Sequence, residues 1–173
     1  MEGIRLLSDQ PITIRRRVLL WIASIGPIGH LPASGTVAVA LVGVPIYYLT
    51  CRWPVLLYVV AVVVYSLLAV WVHDVGDRLL GEKDSRKLVL DELAGFFIAV
   101  AGLGVFTWPL AILAVLVERG FDILKVPPAN WVERRWPGGW GVVGDDVVAG
   151  LYTCAIMHGV IRWAPGWVGL SGV

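Results

Sequence analysis

The sequence predicts an all-α fold: a multi-pass helical membrane protein, a helix bundle whose acidic residues collect at the ends of its helices. Three observations carry this. First, 58% of the 173 residues are hydrophobic and only 16% are charged, against about 25% charged in ordinary soluble domains, and the mean hydropathy is +0.78. Second, residues 53–72 run for twenty positions without a charge, which as a helix covers about 30 Å, the hydrocarbon thickness of a bilayer. Third, three further apolar segments each carry carboxylates at one end. A net charge of +1 with cations and acids interspersed excludes a nucleic-acid partner.

The elements follow in order. Residues 1–17 hold Arg5 and the cluster Arg15-Arg16-Arg17, read as a retained basic segment on the cytoplasmic side under the positive-inside rule. The apolar run Val18 to Ile25 is too short for a signal peptide and meets Gly26-Pro27. Residues 18–173 then form a single helical membrane domain. Gly35 to Leu49, interrupted by Gly43 and Pro45, pairs as a hairpin with the span Trp53 to Val72, which Trp53 and Trp71 bracket at the interfacial levels. Leu88 to Val105 contains Asp91-Glu92, Trp108 to Val117 runs into Glu118, Arg119 and Asp122, and Val142 to Ile161 contains Asp145-Asp146. Pro127-Pro128 ends a helix. Trp131 to Trp140, mixing cations and tryptophans, reads as an interfacial loop. The count comes to about four spans.

Charge in so apolar a chain needs a reason, because ionisable groups at membrane depth normally face the protein interior or a watery cavity. Arg119, Asp122 and Lys125 are spaced three apart along one helix face. Arg and Lys suit a phosphate, and clustered carboxylates suit a hard divalent cation. Asp84 and Asp91 share a face if residues 82–93 are one helix, and Gly95 permits close approach beside them. The turn Pro32-Ala33-Ser34-Gly35-Thr36 presents backbone N–H groups and hydroxyls to a phosphate oxygen. Cys51 and Cys154 sit in apolar runs and read as inert thiols; His30, His73 and His158 read as packing or interfacial. Together these predict a membrane enzyme acting on a phosphorylated lipid head group. Two other readings use the same acids: a cation or proton transporter, which predicts mid-span acids and an inverted repeat, and a non-catalytic membrane subunit with a partner-binding Trp-rich loop.

The order of motifs resembles the phosphatidylglycerophosphatase A family over about residues 29–150. The family's Gly-Thr turn appears as Ser34-Gly35-Thr36, its acidic motif as Asp84, Asp91-Glu92 and Gly95, and its Arg-x-x-Asp-x-x-Lys motif as Arg119, Asp122, Lys125 and Pro128. Its closing glycines and acid pair appear as Gly138-Gly139, Gly141, Asp145-Asp146 and Ala149-Gly150. Ser34 replaces the family's Pro, and Val126 stands directly after the motif Lys. The resemblance implies a Mg2+-dependent phosphatase of the inner membrane, its acidic active site facing the cytoplasm, that removes the terminal phosphate of phosphatidylglycerophosphate to give phosphatidylglycerol. Its partners would be that phosphorylated glycerophospholipid and the lipid bilayer. On this basis Asp91, Glu92, Asp122, Asp145 and Asp146 are candidate Mg2+ ligands. Arg119 and Lys125 are candidate catalytic and substrate-binding cations, Gly35 and Thr36 further substrate contacts, and Asp84 a catalytic acid, base or orienter.

Overall fold

The computed structural model describes residues 13–81, 85 and 87–170, and helices are the only regular secondary structure among them. They are α1 (Ile14–Ala23), α2 (Ser34–Thr50), α3 (Val55–Leu80), α4 (Leu90–Ala99), α5 (Trp108–Leu124), α6 (Ala129–Arg135) and α7 (Gly139–Trp163), with 3-10 turns at Ile28–His30 and Pro165–Val168. Most of the basic segment 1–17 lies outside the described residues; α1 begins at Ile14.

Helices α2 and α3 follow one another through a turn at Cys51 to Trp53, but they do not close on each other as the expected hairpin; each packs on α4 instead. In α2 the segment Val39–Gly43 is a π-turn, placed just before Pro45, whose missing N–H interrupts the regular ladder. A Cβ on Gly43 would sit 3.0 Å from Phe96 Cδ1, so glycine lets α2 close on α4. Helix α3 runs on to Leu80, past the expected end at Val72, and stops at Gly81 in the left-handed conformation (φ +70°). One face of it is buried at Tyr58, Val62, Ala69, Val70 and His73. The rest exposes Leu56, Leu57, Val60, Val63, Val64, Leu67 and Leu68, an unbroken apolar surface of the kind that marks a lipid or protein contact.

Three expectations are corrected here. A continuous helix over residues 82–93 does not form: Gly81 closes α3, and Ser85 and Lys87 to Val89 lie outside any helix. The expected apolar segment 88–105 shortens to α4, ten residues or about 15 Å, half the bilayer core. Gly102 and Gly104 both take positive φ (+71° and +70°) and turn the chain back. Likewise residues 131–140 are not a loop throughout. Trp131 to Arg135 belong to α6, with the Arg135 guanidinium 5.5 Å over the Trp131 ring, and Gly139 and Trp140 open α7.

The short α4 lies at the centre. It packs most extensively on α7, where Gly150 meets the Gly95 carbonyl so closely that a Cβ would overlap it; small residues let apolar helices approach in this way. Helix α3 grips α4 by two polar links: the Tyr58 hydroxyl donates to the Phe97 carbonyl at 2.9 Å and the Tyr65 hydroxyl to the Leu90 carbonyl at 3.1 Å. The core around Tyr47, Phe96, Leu110 and Met157 fills one end of this bundle. The carboxylates of α4, α5 and α7 gather at the other with Arg119 and Lys125.

Candidate active site

Four helix ends bring the predicted residues to one cavity of about 760 Å³. Helix α2 contributes Gly35 and Thr36 from its first turn, α4 contributes Asp91 and Glu92 from its first turn, α5 contributes Arg119 and Asp122 from its last turns, and α7 contributes Asp145 and Asp146. Lys125, directly after α5, takes the left-handed conformation (φ +45°) and also lines the cavity. Such a backbone in a non-glycine residue is costly and concentrates at functional sites. Asp84 lies outside the described residues. A larger cavity of about 900 Å³ at the far end of α7 is lined by apolar residues with His158 and Arg162, and no carboxylate faces it among the described residues.

Electrostatics dominate the site. Arg119, buried, contacts Glu92 through Nη1, reaches Asp122 Oδ2 at 3.2 Å and Asp146 Oδ1 at 3.5 Å, and pairs with Glu118. Lys125 bridges Asp145 at 3.1 Å and Glu133 of α6 at 2.7 Å. Burial works against the Lys125 charge, but hydrogen bonds to Glu133 and Asp145 outweigh it and hold the ammonium above its ordinary range. Asp122 lies past the apolar part of α5; burial pushes its carboxyl up, with Arg119 pulling the other way. Seven carboxylates (Asp91, Glu92, Glu118, Asp122, Glu133, Asp145, Asp146) therefore surround two paired cations. A surplus of buried negative charge is stable only with further positive charge or protons.

The donor chemistry fits a hard cation. Oxygens of Glu92, Asp122 and Asp146 lie within 4.8 Å of one another, a span that one small ion and its waters bridge, and all-carboxylate donors favour Mg2+, Ca2+ or Mn2+ over softer metals. Asp91 and Asp145 flank this triad on the same cavity wall. Gly35 is fixed by the same cluster: a Cβ there would overlap the Glu92 carboxylate, lying 2.6 Å from Oε2 and closer still to Oε1.

Four residues of the site were not singled out from the sequence as site residues. Glu118 is fully buried against Arg119, and Glu133 comes from the segment expected to be a loop. His73, expected to be packing or interfacial, is fully buried with Nε2 3.3 Å from Asp91 Oδ1. Its neighbour Asp74 accepts a 2.8 Å hydrogen bond from the Gly139 N–H, capping α7 from another helix. One turn of α3 thus touches two of the acid-bearing helices, α4 and α7. The sequence signal for His73 and Asp74 was their position directly after the uncharged run that ends at Val72.

A carboxylate cluster with an arginine and a lysine over one cavity, on a helical protein in which α3 and α7 are long and apolar enough to cross a membrane, has the groups that phosphoryl chemistry uses. Comparison with known proteins agrees and narrows it. The family profile described as Phosphatidylglycerophosphatase A matches residues 21–161. The phosphatidylglycerophosphatase A of Escherichia coli (strain K12) is 28% identical over 119 residues, 69% of either chain. That of Haemophilus influenzae is 31% identical over 84 residues, 49% of this chain and 52% of its own. A Bacteroides thetaiotaomicron protein provisionally named a phosphatidylinositol-3-phosphatase is 32% identical over 138 residues, 77% of this chain and 84% of its own. No solved structure matches the chain. The chain belongs to the phosphatidylglycerophosphatase A family and is a phosphatase.

Proposed function

We propose that this enzyme removes the terminal phosphate of phosphatidylglycerophosphate, with Mg2+, at the cytoplasmic face of the bacterial inner membrane. The observation that carries the reading is the convergence of Glu92, Asp122 and Asp146 on one point beside Arg119 and Lys125. Glu92, Asp122 and Asp146 would hold the ion, with Asp91 and Asp145 completing or orienting that set. Bound there, Mg2+ supplies Lewis-acid polarisation of the phosphoryl oxygens and a water of lowered pKa.

The chain's own residues do the rest. Arg119 and Lys125 offset the charge that spreads over the equatorial phosphoryl oxygens, in a site where low dielectric strengthens each contact. Gly35 and Thr36 offer N–H and hydroxyl groups across the cavity from them. Asp145 and Glu133 hold Lys125 in place. Residues 18–173 act as one catalytic domain in this reading, with α3 and α7 crossing the bilayer and the basic segment 1–17 on the cytoplasmic side. The exposed Trp131, Trp136 and Trp140 rest at head-group level, where amphipathic aromatics are favoured.

The relative named for phosphatidylinositol-3-phosphate supplies the discriminating test. Purified protein in detergent is offered phosphatidylglycerophosphate and phosphatidylinositol-3-phosphate in separate reactions with Mg2+. A kcat/KM at least tenfold higher for the former supports the proposal; the reverse preference overturns the substrate while leaving the phosphatase.

A further inference from the structure

Helix α5 places a fully buried carboxylate, Glu118, at the end of the uncharged run Trp108–Val117. A carboxylate costs several kcal/mol to bury unless it is closely matched, so a packing role alone would be met better by another apolar residue. Charge balance does not explain it either, because the site already holds six other carboxylates around two cations and Glu118 deepens that surplus. Both of its oxygens are committed to one partner: Oε2 accepts from Arg119 Nε at 2.7 Å and Oε1 from Arg119 Nη2 at 2.6 Å. This paired geometry is the strongest and most directional an arginine makes. From behind, α4 closes on the same carboxylate. A Cβ on Gly95 would lie 2.7 Å from Glu118 Oε1 and 2.9 Å from the Asp146 carbonyl, so glycine provides the room that Glu118 occupies.

We propose that Glu118 is a positioning residue: it clamps the Nε edge of Arg119 and so aims the Nη1 edge at Glu92, Asp122 and the cavity. The inference rests on the reading above in that Arg119 meets the phosphoryl group there. A guanidinium has five N–H donors on a long flexible stem, and among so many carboxylates it has several competing orientations. Glu118, held by Gly95 on one side and Arg119 on the other, selects one. It acts through Arg119, to which both of its oxygens are bonded.

The test uses the full chain in detergent and the variants Glu118→Leu, Glu118→Gln and Arg119→Met, singly and combined. With phosphatidylglycerophosphate, Glu118→Leu is expected to lower kcat roughly 10- to 100-fold, as loss of an orienting partner does, with KM and Mn2+ affinity (read by electron paramagnetic resonance without turnover) within about threefold of the parent's. Glu118→Gln, which keeps an acceptor, recovers part of kcat. In the Arg119→Met background Glu118→Leu adds nothing, because residues acting as a unit are not additive. The 15N-labelled Arg119 Nε–H supplies a signature independent of any lipid: slowly exchanging in the parent, exposed to exchange in Glu118→Leu, and exchanging faster than the parent in Glu118→Gln, which keeps one acceptor where Glu118 has two. If Glu118→Leu does not fold, the isosteric Glu118→Gln carries the same readouts. Three results overturn the proposal: an unchanged Nε–H signal, an equal loss of kcat in the Arg119→Met background, or a fall in Mn2+ affinity parallel to kcat, which would make Glu118 a metal ligand. A parent inactive on phosphatidylglycerophosphate refutes the substrate assignment instead, and the Nε–H signal still decides the role of Glu118.

Discussion

The hydrogen bond from the Gly139 N–H to Asp74 ties the start of α7, and with it Asp145 and Asp146, to α3. Asp74→Ala removes it without touching the cavity, since Asp74 does not line it. Loss of a helix cap costs roughly 0.5–2 kcal/mol. Gly139 is buried, and an unpartnered buried N–H adds to the loss within a range of about 1–3 kcal/mol. The expected destabilisation is about 1–3 kcal/mol. At about 2–4 °C per kcal/mol for a chain of this size, the melting temperature in detergent falls by roughly 2–12 °C. Asp74→Asn keeps an acceptor and loses only the charge at the helix N-terminus, about 0.3–1 kcal/mol, so it falls between the parent and Asp74→Ala. Scanning fluorimetry on the three proteins reads the order. Asp74→Ala melting with or above the parent would refute the reasoning that α3 caps α7.

Other outcomes follow from the site. His73→Leu removes the imidazole from beside Asp91 while filling most of its volume, and kcat should fall about 10- to 100-fold with a smaller change in KM, measured by steady-state phosphate release. Gly35→Ala drives a methyl into the Glu92 carboxylate; release should drop at least tenfold, with the melting temperature lowered by no more than a few degrees. Lys125→Met deletes the cation between Asp145 and Glu133 and should cost about 10²- to 10³-fold in kcat, the scale for losing one group that stabilises transition-state charge; a loss below threefold would remove Lys125 from the chemistry.

Much of this was legible in the sequence, for identifiable reasons. The uncharged run from Trp53 fixed α3, and the apolar stretches before Arg119 and after Asp145-Asp146 fixed α5 and α7, because long runs of one period leave little choice. The placement of Asp91, Glu92, Asp122, Asp145 and Asp146 on one cavity was foreshadowed by their position at helix ends. The shortness of α4 was not, since Gly102 and Gly104 read as ordinary helix glycines until their positive φ is seen. The continuous helix over 82–93 is broken at Ser85 and at Lys87 to Val89, before α4 begins at Leu90, a break that periodicity does not reveal. The roles of Glu118, His73 and Asp74 were not legible for another reason: His73 and Asp74 act on α4 and α7, distant in sequence, and the full burial of Glu118 against Arg119 leaves no spacing to read.

The account stands most directly on phosphate release from phosphatidylglycerophosphate by the purified protein, measured with Mg2+, with Mg2+ removed by excess chelator, and with Asp91→Asn beside the parent. The prediction is release by the parent in Mg2+, loss of at least a hundredfold on chelation with recovery on adding Mg2+ back, and a comparable loss in Asp91→Asn at an unchanged fold. Release that persists undiminished in chelator, or in Asp91→Asn, would contradict the claim that the carboxylate cluster holds the ion on which the chemistry depends.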